Sequence, residues 1–244
     1  MAAPVDAART TTSISTAGTT HTINTGTPAN GDLALVFGRF AAAPGTVTFT
    51  GYTAMPDTPN TTDLSDDTSL CWWRQCNGTE GATDTASTVN SVKGAFIYYR
   101  ITGAQNPATT PPTDESANTG TSANAQASSL SSLTLADYLF VLWAGCDGEL
   151  ITFTAASGYS NVVNANSGVT GASATNCCVG SCTKQVLATT NEFPGAFTNG
   201  APSTGYTAWL IAVPAAPSAV DRGRGFDTAV YNAEAISRSL RRVR

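Results

Sequence analysis

Apolar and polar positions along this chain change over in short runs. "DLALVFGRF" (32–40), "TVTFTGYTAM" (46–55), "SLCWWRQC" (69–76), "GAFIYYRIT" (94–102), "DYLFVLWAG" (137–145), "ELITFTAA" (149–156) and "YTAWLIAV" (206–213) are each of strand length. They are rich in β-branched and aromatic residues, and turn formers bound them. No three-turn amphipathic helix pattern occurs before residue 217. The pattern predicts an all-β body. Several runs are apolar almost throughout, so those strands need cover on both faces, from a second sheet on one side and from loops or a neighbouring subunit on the other.

The runs also repeat. "HTINTGTPANGDLALVFGRF" (21–40) matches "SSLSSLTLADYLFVLWAG" (128–145) in layout, with Asp32 against Asp137. "TVTFTGYTAM" and "LITFTAASGYSNVV" (150–163) share Thr-Phe-Thr and then Gly-Tyr. Cysteine-bearing segments follow at 71–76 and 177–182, and each half closes on an aromatic strand, "IYYRITGA" (97–104) against "WLIAVPAA" (209–216). Two diverged tandem halves of four strands each predict a two-sheet β-sandwich, jelly-roll-like in topology. The expected organisation is an N-terminal extension at 1–20, a body at 21–216 and a C-terminal arm at 217–244. The body divides into halves 21–104 and 128–216, joined by an extended linker at 105–127 that has no hydrophobic periodicity.

Composition narrows the function classes. Only 12% of the 244 residues are charged, while 41% are hydrophobic, which is not the signature of disorder. No apolar run is long enough to span a membrane. Residues 1–216 carry 6 Lys+Arg and 14 Asp+Glu, a net of −8, whereas 217–244 carry 6 Arg and 3 acids, a net of +3. In the arm, Phe226, Val230, Ile236 and Leu240 fall at helical spacing, with Arg238, Arg241, Arg242 and Arg244 late, where they suit the helix dipole. A short amphipathic helix on a basic arm is a device for docking an acidic body onto a partner. Direct nucleic-acid binding through that body is disfavoured.

Candidate chemistry is sparse. His21 is the only histidine, and no nucleophile elbow accompanies it. Asp63, Asp66 and Asp67 form an acidic loop without the calcium-binding pattern of glycine and closing glutamate. Trp72 and Trp73 are adjacent, so on a strand they face opposite ways and make no single sugar-stacking platform. No phosphate-binding or dinucleotide fingerprint occurs. No catalytic residue, metal site or cofactor is expected. Six cysteines remain: Cys71, Cys76, Cys146, Cys177, Cys178 and Cys182. Their spacings fit a zinc site poorly, and no histidine base activates a thiol. The two cysteine segments hold similar places in the two halves, which favours disulfides stapling the sandwich. Reduced structural thiols and zinc are the alternatives, and fifteen connectivities are possible within one chain.

The layout resembles a class of structural proteins from tailed bacteriophages. Gly31-Asp32-Leu33-Ala34-Leu35-Val36, Gly51-Tyr52-Thr53 and Tyr98-Tyr99-Arg100 carry the resemblance over about residues 20–216. The second half departs from it, with Ala136 in place of the glycine before Asp137. The resemblance implies a non-enzymatic virion component, a capsid decoration or cement protein, a collar or neck accessory, or a tail protein. Implied partners are further copies of the chain, with a trimer favoured, and the major capsid or neck and tail proteins. The implied location is the virion, assembled in the host cytoplasm, since "MAAPVDAARTTT" lacks a signal-peptide core. A carbohydrate- or receptor-binding tail module is the rival reading.

Overall fold

The computed structural model describes residues 3–56, 58, 68–114, 118–121, 124–147, 151–168, 176–199 and 205–217. Asp63, Asp66, Asp67 and the arm residues from 218 onward lie outside the described residues. The first half folds as Val5–Asn24 (β1), Leu33–Phe40 (β2), Val47–Phe49 (β3), Thr53–Ala54 (β4), Thr68–Gln75 (β5) and Thr83–Thr102 (β6). The second supplies Thr113–Asp114 (β7), Asn118–Gly120 (β8), Ala136–Asp147 (β9), Phe153–Thr154 (β10), Ser160–Asn166 (β11), Cys177–Thr189 (β12), Thr198–Asn199 (β13) and Tyr206–Pro214 (β14). The body is all-β. No helix of the described residues is long and apolar enough to cross a membrane.

Two antiparallel sheets form the sandwich. Sheet 1 has the order β1-β6-β2-β5-β4, with β3 also on β6, and sheet 2 the order β11-β12-β9-β14-β7, with β8 also on β14. Across the sandwich β1 packs over β11, β6 over β12 and β2 over β9. Each half thus makes one whole sheet. Strands do not pass back and forth between the sheets as they do in a jelly roll, so the winding is simpler than the jelly-roll-like topology expected. Residues 5–20 are no extension either. They belong to the 20-residue edge strand β1, paired along the equally long β6 through several register shifts. The linker contributes the short edge strands β7 and β8.

The two sheets share one internal plan, with β2, β5 and β6 answering to β9, β12 and β14. Leu33 lies opposite Gln75 and Ile101, and Leu139 lies opposite Gln185 and Val213. Leu33 therefore corresponds to Leu139, and Asp137 sits one place earlier than the equivalent of Asp32. Tyr138 is the extra residue. Asp32 closes its turn, accepting a hydrogen bond from the Ala29 N–H (2.7 Å) and pairing with Arg100, whereas Asp137 reaches across to β12, accepting from the Ala188 N–H (2.9 Å) at the register shift there. The same register sets Cys71 against Ser181 and Trp72 against Cys182. No cysteine of β5 falls on one of β12.

Burial explains the unbroken apolar runs. Leu33, Leu35, Phe37, Ile97, Tyr99, Leu139, Val141, Trp143, Trp209 and Ile211 fill the space between the sheets. The alternate residues face outward and are nevertheless buried. Ala34, Val36, Phe40, Leu70, Trp72 and Phe96 lie beneath Ile23 and Phe49 on sheet 1, and Phe140, Leu142, Ala144, Leu210 and Ala212 lie with Ala125, Leu130, Phe153 and Phe197 on sheet 2. The chain's own strands and loops provide the second cover. At about 1.5–3 kcal/mol for each large side chain removed from water, these lids contribute as the central core does. Polar contacts also cross the central layer: Tyr99 Oη to Ser181 Oγ at 2.6 Å, Lys93 Nζ donating to Asn176 at 2.8 Å, and the buried Arg39 donating to Ser69 (2.8 Å) on its own sheet and Thr207 (3.5 Å) on the other.

Candidate interaction surface

One end of sheet 2 departs from the economy of the rest. Segments 130–136 and 187–193 run side by side there. Leu130 and Glu192 exchange backbone hydrogen bonds of 3.0 and 2.9 Å, and the Leu133 N–H donates to Thr190 O at 2.9 Å. Leu135, Leu187 and Phe193 on these segments leave 64%, 67% and 67% of their surface in solvent. Ser132 (φ 61°) and Ala188 (φ 48°) hold left-handed backbone conformations that cost an L-residue free energy. The Ala188 strain is held by the Asp137 carboxylate at its N–H and by a register shift in β12 between Val186 and Thr189. A cleft of about 350 Å³ opens beside them, lined among others by Gln105, Leu130, Leu133, Tyr138 and Pro214. The described chain leaves the body at this cleft: the Ala215 N–H donates to Asp137 O and the Ala216 N–H to Gly103 O, both at 2.9 Å.

A clasp repeated in each half, by contrast, is structural. Gly51 and Gly158 both turn the chain through positive φ (82° and 81°), each just before a tyrosine. Arg74 lies 5.0 Å from the Tyr52 ring centre, and Lys184 lies 5.6 Å from that of Tyr159. Tyr52 Oη donates to Asp84 (3.0 Å) and Tyr159 Oη to Glu192 (3.1 Å). The cations close the clasps, Arg74 on Glu80 (2.6 Å) and Asp84 (3.2 Å), and Lys184 on Glu192 (2.8 Å). Burial first, and then the neighbouring carboxylates, push both phenols far above the usual tyrosine range, so they remain neutral donors.

The residues singled out for chemistry are dispersed. His21 is fully buried beside Phe40, with ring centres 4.8 Å apart. The Thr88 hydroxyl donates to Asn90 O, so at 3.1 Å it accepts from His21 Nε2, and burial lowers the imidazole's affinity for a proton. Trp72 and Trp73 face opposite ways as expected, Trp72 under the sheet 1 lid and Trp73 against the central core. All six cysteines are buried. Cys71 and Cys177 face the central core, Cys76 the outer face of sheet 1, and Cys146, Cys178 and Cys182 the outer face of sheet 2. Four thiols never share a face, so a four-cysteine zinc site has no place here. Between the cysteine segments of the two halves, Cys71 and Cys177 are the one pair that faces the same layer. Among the described residues no group of three or more His, Cys, Asp or Glu is placed to hold a metal.

The exposed trio escaped the sequence because Leu135, Leu187 and Phe193 look like any other apolar residue near a strand end. The clasps were partly legible in the repeated Gly-Tyr pair. Compared with protein-family models, curated proteins and solved structures, the chain matches none.

Proposed function

We propose that this chain is a non-enzymatic structural protein of a phage virion, decorating or cementing the capsid or neck as a symmetric oligomer, a trimer favoured. The observation that carries the reading is the end of sheet 2, where three exposed apolar side chains and two strained backbone positions stand beside the chain's exit. Val5, Val89 and Val162 are also exposed, on β1, β6 and β11, but Leu135, Leu187 and Phe193 stand on two adjoining segments and together offer contact surface. The basic residues 217–244 follow directly from that exit and supply the tie to an acidic partner. The short edge strands and the hydroxyl-rich surface suit close packing among neighbours.

The rival sugar-binding reading needs exposed aromatic rings in a groove. Trp72, Trp143 and Trp209 are buried, Trp73 packs against the core, and Phe193 is the one exposed aromatic among the described residues. The test is incorporation into particles, scored by quantitative mass spectrometry of purified virions. The full chain is expected at near-stoichiometric occupancy, while a chain ending at Ala216 and the pair Leu187→Asp/Phe193→Asp fold but stay in the unassembled fraction. Full occupancy of both variants would overturn the attachment surface, and absence of the full chain from particles would overturn the virion reading.

A further inference from the structure

We infer that Cys146 and Cys178 form a redox couple that closes into a cross-strand disulfide, a covalent modification site within sheet 2. The two residues are direct partners on β9 and β12. Directly opposed residues of antiparallel strands have Cα atoms about 4.5 or 5.5 Å apart, and both separations lie inside the roughly 4.4–6.8 Å that a disulfide spans. The side chains share the outer face of the sheet, and their sulfurs stand 2.7 Å apart, closer than two thiols rest without bonding interaction. Bridging therefore asks for little backbone movement. The other cysteines are placed differently. Cys177, next in sequence, faces the central core, where its thiol donates to Arg39 O at 3.0 Å, and Cys182 lies opposite Leu142.

The position is peculiar to this half. The places in sheet 1 that correspond to Cys146 and Cys178 are Phe40 and Thr68, themselves direct partners. The bridge would tie the two strands that bound the segment 147–177, which carries β10 and β11 and so part of the lid over Gly180. Both thiols are fully buried with Ile151, Phe153 and Tyr206, so the oxidant meets them as the chain folds or on local opening. With a low-molecular-weight disulfide such as oxidised glutathione, one protein thiolate attacks the reagent and releases one reduced glutathione. The second thiolate then displaces the other glutathione. The protein loses two hydrogens and two electrons, the reagent gains them, and one S–S bond forms for each one broken.

The experiment refolds the full chain from urea in glutathione buffers of increasing oxidising poise. Samples are quenched in acid, alkylated and digested at aspartate, which separates residue 146 from 178, and the linked peptides are fragmented along the backbone to tell Cys177, Cys178 and Cys182 apart on their shared peptide 147–220. The expected product is a linked peptide pair joining Cys146 to Cys178, two hydrogens lighter, at least tenfold above any other pairing. The pair should survive in Cys177→Ser and Cys182→Ser and vanish in Cys178→Ser. Six alkylated thiols at the most oxidising poise, or equal linkage of Cys146 to several cysteines, would overturn the inference; both are read on the unaltered chain, whether or not the variants fold. The outcome does not depend on incorporation into particles.

Discussion

Sheets 1 and 2 solve the same burial problem with one strand order and one tyrosine–cation clasp, yet they finish their edges differently. Beyond β6, sheet 1 ends in the 20-residue β1, whereas the matching side of β14 carries only fragments of 2 and 3 residues, β7 and β8. The lids differ too. Sheet 1 is closed by Phe49 and Ile23 with the buried His21, sheet 2 by Phe153, Phe197 and the loop around Leu130. What the halves share is what apolar burial dictates. What they do not share lies at edges and ends, and the exposed trio Leu135, Leu187 and Phe193 sits in the unshared part.

The heaviest blow to this comparison falls on the lids. Phe153 is 1% and Phe49 6% exposed, and each is the aromatic of a Thr-Phe-Thr repeat. Phe153→Ala and Phe49→Ala should each cost about 3–5 kcal/mol in urea unfolding, as truncation of a buried phenylalanine commonly does. A near-neutral result for one of them would mean that its lid is dispensable and the outer faces are not equivalent. Next come the slots in which aromatic rings lie. A Cβ at Gly38 would collide with the Phe96 ring, and one at Gly180 with the Phe153 ring. Gly38→Ala and Gly180→Ala should each cost about 1–3 kcal/mol through overpacking. Lower melting temperatures for both would support closely packed lids on both sheets, and an unchanged value would mark a loose one.

Much of the architecture was legible because unbroken apolar runs and turn formers report strand burial directly. The repeat was legible in order but not in register. A one-residue insertion such as Tyr138 flips the pattern against the aspartate, and only hydrogen-bond pairing shows it. The edge strand β1 was missed because its Thr- and Ser-rich sequence has one polar face and little apolar signal, while its partner β6 carries the aromatic residues. Cysteine spacing misled for a related reason. Neighbours such as Cys177 and Cys178 point to opposite faces of a strand, so closeness in sequence is separation in space. The exposed trio was invisible, since exposure of a leucine is decided by what packs over it.

The clasps sharpen the comparison on a smaller scale. Lys184→Met removes the cation from Glu192, a buried carboxylate that would keep only the Tyr159 hydroxyl among its side-chain donors here. Arg74→Met likewise leaves Glu80 and Asp84 without their shared partner. Each should cost roughly 1–2 kcal/mol, as partly exposed charged hydrogen bonds do. Similar losses would support equivalent clasps, and a loss in only one half would show that the other is decoration.

The smallest effect separates the two seams of the sandwich by pH. Where β1 meets β11, Asp6 lines a cavity of about 140 Å³ with Ser160, Asn161 and Thr183. Burial raises its carboxyl from an ordinary 3.8 to about 6, although the Arg9 charge at 2.7 Å pulls the other way. A raised carboxyl binds its proton more tightly folded than unfolded, so its contribution is complete below about pH 4 and is lost as pH rises through 6. Glu80 behaves in the opposite sense. Burial works against its charge, but the Asn77 and Gly78 N–H groups and Arg74 outweigh it and hold the carboxyl at about 2. Its contribution is present above about 4.5 and is lost as pH falls through 2. Between pH 7 and 5 the Asp6 proton should therefore add about 1 kcal/mol, after discounting the solvent-screened side of the Asp6–Arg9 pair, while His21, whose proton affinity burial lowers, works the other way in the same window. Below 4.5 stability should fall as Glu80 takes up its proton. Asp6→Asn should remove the first gain relative to the unaltered chain and Glu80→Gln should weaken the second slope, both read from urea midpoints across pH 3–7. An unchanged profile between pH 7 and 5 in Asp6→Asn would place the responsible proton elsewhere and remove the β1 seam from the differences between the halves.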